Sequence, residues 1–293
     1  MRIYGLEEHM ATADVVEAWK REDPQLTEPM MRWAVTSDTT PALLDLDDGR
    51  LAAMDDAGID TAVLSLTTPG LQNLAPAAAA AELQRAVAGL GFNGALIPAR
   101  SGYRMVEAPE FWDVYEAAAD LRAPIYLHPR APLPVVSQTY YRGFGEPVDN
   151  LLATGAFGWH YDAGLTVVRM IISGLFDRFP DLQVILGHWV EVVLFYLDRI
   201  ADLDRVTSLQ RPVAEYFRSN IFITPGGISS HKYLRWSLEI VGTERLMYAS
   251  DYPFNRERGG SVPRFLDTAP ISDAERETIA FRNWESLVAG IRR

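Results

Sequence analysis

The sequence alternates short apolar runs with longer amphipathic stretches, and this alternation limits its fold more than any other feature. Runs typical of buried strands occur at Ile3–Leu6, Thr61–Leu66, Gly94–Pro98, Pro124–Leu127, Val184–Leu186, Ile221–Thr224 and Leu246–Ala249. Patterns typical of helices lie between them, at Leu51–Ala57, Ala77–Leu90, Glu110–Leu121, Thr166–Phe176, Val190–Leu203, Tyr233–Val241 and Asp273–Ala289. Strand, helix and strand in repetition predict an α/β fold with parallel strands and right-handed crossovers.

Such a chain can form either a closed barrel or an open sheet. Polar residues follow several separate strands, and they are Glu7, His9, His128, His188 and Asp251. This distribution favours a barrel, because an open sheet gathers its site at one switch point. We therefore predict a single domain over residues 1–293 with a distorted (β/α)8 TIM-barrel fold. Only seven strands are found where about eight are expected. The shortfall lies between Leu66 and Ala77, where a missing β/α unit, an irregular barrel or a segment not represented in this sequence would each account for it.

Two polar stretches are expected to form long loops. They are Asp14–Pro41, which we place over the barrel mouth, and Arg130–Leu152, which is rich in proline and glycine. Loops of this length in a compact domain are usually functional or disordered.

The composition excludes several kinds of chemistry. The chain has no cysteine, which rules out a disulfide, a thiolate metal site and a cysteine nucleophile. Any metal must be held by His, Asp or Glu, which favours Zn, Mn, Fe or Mg over soft metals. A site that mixes glutamate with histidine suits Zn or Mn, with Mg as a further candidate. The net charge of −12 argues against nucleic acid as a partner. Neither a signal peptide nor an apolar run of about 18 residues is found, so we expect no membrane partner and a cytoplasmic protein.

Four of the polar residues are candidate metal ligands. Glu7 and His9 form an E-x-H pair at a strand end, where side chains two apart point the same way, whereas Glu8 is expected to face the other way. His128 ends the run APIYLH, and Asp251 ends LMYASD. Each has an ordinary alternative, such as a surface strand end, a core histidine or a helix N-cap. Their coincidence at the ends of separate strands favours a shared cation.

Three further residues are candidates for the pocket. His188 ends the run QVILGH, and Glu191 lies one helical turn farther along. A carboxylate there can orient the imidazole, although a capping histidine followed by a helix-start glutamate gives the same pattern. His160, in FGWHYDAG, is placed to line the pocket, whereas His231 is more typical of a capping or surface residue. Nucleotide-binding and serine-hydrolase motifs are absent from the sequence.

Taken together, four stretches resemble the amidohydrolase-related decarboxylases, the branch that includes γ-resorcylate and 2,3-dihydroxybenzoate decarboxylases. They are EEH near the N-terminus, IYLHPR, GLFDRFPDLQVILGH-x-x-E and ASDYPF. The resemblance implies a (β/α)8 barrel, one divalent metal ion and usually a homodimer or homotetramer. The metal ligands that it implies are Glu7, His9, His128 and Asp251.

The resemblance also implies the reaction, a non-oxidative decarboxylation of an ortho-hydroxylated aromatic carboxylic acid. The metal would bind the carboxylate and the hydroxyl, and Asp251 would protonate the ring carbon that loses CO2. His188, supported by Glu191, would orient the substrate or handle a proton. Two alternatives stay open: a metal-dependent hydrolase of an ester, lactone or amide on the same barrel, and a barrel that binds a ligand without catalysis.

The chain departs from this family in two places. Val190 stands where the motif G-H-x-G-E has its second glycine. The family also has a further helix and strand between the segments that match TTPGLQNL and AAAAAELQRAV, which agrees with the missing β/α unit.

Overall fold

A computed structural model describes residues 1–21, 39–67, 76–191 and 193–293. The strands are β1 Tyr4–Met10, β2 Thr61–Leu66, β3 Ala95–Pro98, β4 Arg100–Ser101, β5 Arg104–Met105, β6 Ile125–His128, β7 Val184–Leu186 and β8 Ile221–Ile223. The α-helices are α1 Ala13–Trp19, α2 Thr40–Leu44, α3 Asp48–Ala57, α4 Pro76–Gln84, α5 Trp112–Leu121, α6 Pro134–Tyr140, α7 Glu146–Ala153, α8 Gly158–Ile172, α9 Leu175–Arg178, α10 Leu197–Ile200, α11 Val213–Ser219, α12 His231–Val241, α13 Ser261–Asp267, α14 Asp273–Glu277 and α15 Asn283–Ala289. In the ranges given above, no helix is long and apolar enough to cross a membrane.

The chain divides into two compact units. The first consists of Met1–Gly70, Gly187–Trp189 and Ile223–Ser286, and the second of Leu71–Leu186, Val190–Phe222 and Leu287–Arg293. The single domain expected from the sequence stays a prediction.

In the first unit, β1 pairs with β2 in parallel, from Tyr4 opposite Thr61 to Met10 opposite Leu66, with a register shift between Gly5 and Glu8. The segment 246–249, predicted as a strand, is almost fully buried. It pairs through one parallel bridge from Leu246 to Ile223, and through hydrogen bonds from the Leu6 N–H to the Tyr248 carbonyl and from the Gly227 N–H to the Ala249 carbonyl. The apolar pattern therefore predicted the burial of this segment correctly but overstated its pairing as a strand.

In the second unit, four strands form one sheet in the order β3-β6-β7-β8. The pairs β3–β6 and β6–β7 are both parallel. All four residues of β6 and all three of β7 are buried. Strands covered on both faces read as continuous apolar runs, which is why the sequence identified them. A short antiparallel pair, β4 with β5, follows β3 and was not predicted.

Two sequence predictions of local structure are wrong. The helix expected at Val190–Leu203 is replaced by a left-handed turn, the short helix α10 and two 3-10 segments, Val193–Tyr196 and Ala201–Arg205. The loop expected at Arg130–Leu152 contains α6 and most of α7. The predicted missing β/α unit falls on residues 68–75, and most of the predicted loop Asp14–Pro41 falls on residues 22–38, both outside the described residues.

Candidate active site

The carboxyl end of β1 carries two ionisable side chains that are completely buried, Glu7 and His9. The strand end is held in place by its backbone, because the His9 N–H donates to the Tyr252 carbonyl at 2.7 Å. A charged group and an imidazole at zero exposure are costly unless another group compensates them. The end of β1 is therefore a candidate functional site.

His9 faces Asp251 within this unit. His9 Nε2 lies 3.3 Å from Asp251 Oδ1, and Asn255 Nδ2 donates to Asp251 Oδ2 at 2.9 Å. Ser65 Oγ lies 3.5 Å from His9 Nδ1 on the other side of the ring. Burial lowers the pKa of His9 to about 4, and the negative charge of Glu7 opposes that shift only in part. The imidazole is therefore neutral near pH 7, which is the form that binds metal ions.

The side chains of Glu7 and His188 both lie next to Gly226. A β-carbon built on Gly226 would lie 3.0 Å from Glu7 Oε2, 2.8 Å from His188 Cδ2 and 2.7 Å from the His188 backbone nitrogen. Gly226 also has a positive φ of 49°. The residue must be glycine for both reasons, and its bare backbone lets the carboxylate and the imidazole approach the same place.

We expect Gly226→Ala to disturb this site far more than a comparable substitution elsewhere. The methyl group would collide with backbone and side-chain atoms, so stability is expected to fall by about 1–3 kcal/mol and bound metal to decrease. Gly91→Ala is the matched control, because Gly91 also has a positive φ, 78°, but its β-carbon would meet nothing within 4 Å. Urea unfolding and metal analysis of both variants test this expectation. Equal losses in the two variants would contradict it.

Glu8 serves the structure rather than the pocket. Its carboxylate accepts hydrogen bonds from the backbone N–H of Ser250 at 3.1 Å and from Ser250 Oγ at 2.8 Å. Burial raises the pKa of Glu8 to about 7, although the hydrogen bonds from Ser250 act in the opposite direction. These bonds hold β1 against Ser250, the residue that precedes Asp251.

Arg50 of α3 secures the same strand end, a role that the sequence did not reveal. Its Nη2 donates to the carbonyls of His9 at 2.7 Å and Ala42 at 3.1 Å, and its Nε donates to the Asp45 carbonyl at 2.9 Å. The guanidinium carbon lies 4.9 Å from the centre of the Tyr252 ring. Carbonyl oxygens and an aromatic face replace the water that the buried cation loses.

Residues 188–191 form a left-handed turn made entirely of non-glycine residues. Their φ angles are 49°, 59°, 59° and 58°. Each such residue costs about 1–2 kcal/mol, and strain of this kind is kept where surrounding structure imposes it, often at functional sites. Trp189 supplies part of that restraint, because its backbone N–H donates to the Thr224 carbonyl and its Nε1 to the Ile228 carbonyl.

Val190 offers a direct test of this strain. The residue is fully buried, and a β-branched side chain is especially unfavourable at its φ of 59°. Val190→Ala removes the side chain without relieving the backbone, whereas Val190→Gly does both. We therefore expect the glycine variant to be more stable than the alanine variant by about 1 kcal/mol, which reverses the usual order in helices. Urea unfolding of the two proteins measures the difference, and an alanine variant as stable as the glycine variant would contradict it.

The other two predicted site residues, His128 and Glu191, lie in the second unit. His128 is the last residue of β6 and is 5% exposed. Its Nδ1 lies 2.7 Å from the Pro129 carbonyl. Because a carbonyl only accepts, Nδ1 carries the proton and Nε2 carries the lone pair that a metal would use. This is the orientation expected of a ligand histidine.

Glu191 contacts His160, which the sequence predicted only to line the pocket. Its buried carboxylate forms a short hydrogen bond with Nδ1 of His160, in the first turn of α8. Nε2 of His160 lies 3.1 Å from Trp159 Nε1 and 2.9 Å from the Gly155 carbonyl. The support that Glu191 was predicted to give to His188 stays a prediction.

The residues that the first unit brings together suit a divalent cation. Glu7 and Asp251 offer carboxylate oxygens and His9 offers a neutral imidazole nitrogen, a donor set that fits Mn or Zn. Two carboxylates in this buried setting also call for positive charge at the same place. Asn255 and Gly226 complete this site and were missed in the sequence, where only the spacing of Asp251 and Asn255 and the pair Gly226-Gly227 could have indicated them.

A family model described as amidohydrolase matches residues 48–283. The chain belongs to the amidohydrolase family. Among the relatives, the chain is 35% identical over 219 residues to the decarboxylase orsB of Emericella nidulans, covering 73% of this chain and 66% of the relative. It thus spans slightly less than two thirds of that protein's length. It is 30% identical over 297 residues to the γ-resorcylate decarboxylase of Rhodococcus jostii, covering 84% of this chain and 88% of the relative.

The fold of this amidohydrolase is also that of solved decarboxylases. The crystal structure of a dihydroxybenzoic acid decarboxylase from Polaromonas, with bound manganese and the inhibitor 2-nitroresorcinol, matches with a TM-score of 0.82 at 26% identity. The match covers 98% of this chain and 97% of that chain. The predicted α/β barrel class and the resemblance to the γ-resorcylate decarboxylase branch are confirmed.

Proposed function

We propose that this amidohydrolase is a metal-dependent decarboxylase that removes the carboxylate of an ortho-hydroxylated aromatic acid without oxidation. One observation carries the proposal: the buried Glu7 and the His9–Asp251 pair, 3.3 Å apart, occur in a chain 30% identical to a γ-resorcylate decarboxylase over most of its length. The substrate is a small aromatic acid with a hydroxyl next to its carboxylate.

We propose that one divalent ion is held by Glu7, His9, His128 and Asp251. The geometry of the first unit supports Glu7, His9 and Asp251, and the family resemblance together with its protonated Nδ1 supports His128. Manganese is the leading candidate because the similar Polaromonas decarboxylase binds it, with Zn and Mg as alternatives. When bound, the ion would supply Lewis-acid stabilisation of negative charge on the substrate oxygens.

The protein's own residues would then transfer the proton and orient the substrate. Asp251, in its protonated form, donates its proton to the ring carbon that bears the carboxylate, so that a C–H bond forms and the ring loses aromaticity. The C–C bond between this carbon and the carboxylate breaks next, and CO2 leaves. The electron pair of the broken bond stays with the ring and restores its aromaticity. His188 polarises the neighbouring hydroxyl, with Glu191 as its supporting carboxylate. Proton donation of this kind typically accelerates a reaction by about 10²- to 10⁴-fold.

The test is incubation of the manganese-loaded protein with a panel of hydroxybenzoates, including 2,6-dihydroxybenzoate and 3-hydroxybenzoate. We expect CO2 and the corresponding phenol in equal amounts from acids with an ortho hydroxyl, and none from 3-hydroxybenzoate. A parallel panel of aromatic esters and lactones serves as the comparison. Hydrolysis of the esters or lactones without any CO2 release from the hydroxybenzoates would contradict the proposed decarboxylase activity and indicate a hydrolase.

Two further properties are proposed on the sequence evidence. The protein is cytoplasmic, and it assembles as a homodimer or homotetramer. The first would fail if cell fractionation found the protein outside the cytoplasm, and the second if light scattering gave the 32.7 kDa mass of a single chain.

A further inference from the structure

The left-handed turn at residues 188–191 is held separately at its two halves. The first half is held through Trp189, whose backbone N–H donates to the Thr224 carbonyl at 2.9 Å and whose Nε1 donates to the Ile228 carbonyl at 2.7 Å. Trp189 and both acceptors belong to the first unit. The second half of the turn belongs to the second unit, and it therefore needs partners within that unit.

Within the second unit, the turn is held through the side chain of Glu191. This side chain has no exposed surface, and its carboxylate is hydrogen-bonded to Nδ1 of His160. Because an ionised carboxylate only accepts, Nδ1 carries the proton. Reversing the sign of the four φ angles, as a right-handed helix requires, would redirect the Glu191 side chain away from His160. The bond therefore favours the left-handed form of the turn over the right-handed one.

His160 is itself fixed at its other ring nitrogen. Nε2 lies 2.9 Å from the Gly155 carbonyl and 3.1 Å from Trp159 Nε1. The carbonyl accepts from Nε2 when the ring is charged, and the indole N–H donates to the lone pair of Nε2 when the ring is neutral. A β-carbon built on Gly155 would lie only 3.3 Å from the Trp159 ring, so these residues are closely packed. The imidazole thus has a partner at Nε2 in either charge state.

Loss of the His160 imidazole would release the second half of the turn. All four residues of the turn have φ between 49° and 59°, a conformation that non-glycine residues keep only where the surroundings impose it. The buried carboxylate of Glu191 would also lose the imidazole that now compensates its burial, and would turn toward water. The backbone would then relax, and His188, which begins the same turn, would no longer be held in one place.

We propose that His160 is a positioning residue of the candidate active site. Its bond to Glu191 holds the second half of the 188–191 turn, and the turn in its place fixes the imidazole of His188. The effect on turnover rests on the proposed decarboxylase function, whereas the effect on the turn itself does not.

The first experiment compares two substitutions of similar size at position 160 in the manganese-loaded protein. His160→Asn keeps an N–H donor close to the place of Nδ1, whereas His160→Leu supplies none. With 2,6-dihydroxybenzoate, we expect His160→Leu to lower kcat by about 10- to 100-fold, the effect of a displacement of about 1 Å. KM and metal content are expected to stay near wild-type values, because none of the proposed metal ligands is changed. His160→Asn is expected to keep most of the wild-type kcat.

His231→Leu is the matched control for His160→Leu. The Nε2 of His231 lies 2.9 Å from the Phe265 carbonyl, on helix α13 of the first unit. The substitution removes a histidine of the same size, and kcat is expected to stay at the wild-type value. Equal losses of kcat in the Leu and Asn variants at position 160 would show that the donor at Nδ1 is not what matters, and would overturn the proposal.

The second experiment uses the strain of the turn itself. Glycine at position 190 adopts a positive φ readily, so the left-handed form depends less on His160 in a Val190→Gly background. The loss of kcat caused by His160→Leu is therefore expected to be about fivefold smaller in that background than in the wild-type protein. A residue that merely filled space would cause the same loss in both backgrounds, and that result would contradict a positioning role.

A third measurement needs no substrate, so that failure of the decarboxylase assay and failure of the positioning role can be told apart. The Val193 N–H donates to the Val190 carbonyl at 3.1 Å and reports on the second half of the turn. We expect its hydrogen–deuterium exchange to be several times faster in His160→Leu than in the wild-type protein. In His160→Asn the exchange is expected to stay near the wild-type rate.

Circular dichroism verifies that each variant is folded. If His160→Leu does not fold, Glu191→Gln takes its place in the exchange measurement, because an amide is a weaker acceptor than a carboxylate for the Nδ1 proton. Wild-type exchange of the Val193 N–H in the variant that is measured would overturn the proposal. A wild-type protein that releases no CO2 would contradict the decarboxylase function, and the exchange rates would then decide the role of His160.

Discussion

Replacement of Asp251 by Asn is expected to lower the turnover of an ortho-hydroxybenzoate by about 10²- to 10⁴-fold. The amide cannot deliver the proton that the ring carbon needs, yet it keeps an oxygen where Oδ1 now lies 3.3 Å from His9 Nε2. Metal content is therefore expected to be retained at least in part. The measurement is kcat from CO2 release, together with metal analysis of the same preparation.

The matched control for Asp251→Asn is Asp60→Asn. Asp60 belongs to the same unit and accepts a hydrogen bond from the Ile3 N–H at 2.7 Å, so the substitution changes one charge without touching the candidate site. Asp60→Asn is expected to keep wild-type turnover. Substantial turnover by the Asp251→Asn variant would contradict the proposal that Asp251 is the proton donor.

Replacement of Glu7 by Gln is expected to abolish both metal binding and turnover. The neutral amide of Gln supplies a weak ligand where a buried carboxylate now supplies charge and a strong oxygen donor. Losing even an outer partner of a ligand costs about 10- to 100-fold in affinity, so the loss of a ligand itself is expected to exceed a hundredfold. Metal titration of the purified protein measures this effect directly.

Glu8, the next residue in the chain, provides a closely matched control for Glu7→Gln. Glu8→Gln changes the next residue in the same way, but the Gln carbonyl can still accept a hydrogen bond from Ser250. Glu8→Gln is therefore expected to bind the metal almost as tightly as the wild-type protein. If Glu7→Gln kept its metal, or if both variants lost it equally, the proposed ligand set would be wrong.

The sequence predicted the strands well because burial on both faces leaves a strong local signal. The strand β6 is largely apolar up to His128 and β7 is apolar throughout, and parallel pairing follows from the intervening helices. The position of candidate groups at strand ends also followed from this pattern, as His9 and His128 show.

Features that depend on tertiary contacts could not be predicted in this way. The stretch after His188 has the apolar spacing of a helix, but the left-handed backbone at Val190 and Glu191 is imposed by surroundings that the local sequence does not reveal. The contact between Glu191 and His160 joins residues 31 positions apart, and Arg50 of helix α3 reaches the His9 carbonyl of strand β1. Such pairings are set by packing, and no local pattern encodes them.

The hydrogen bonds that hold the end of β1 determine what happens when the metal is removed. The hydrogen bonds from Arg50 to the His9 carbonyl and from Ser250 to Glu8 use no atom of the proposed ligand set. Chelation is therefore expected to empty the site while the strand end keeps its position. The emptied protein can then be reloaded with manganese, zinc or magnesium in turn, without unfolding, so that the three ions can be compared in a single preparation.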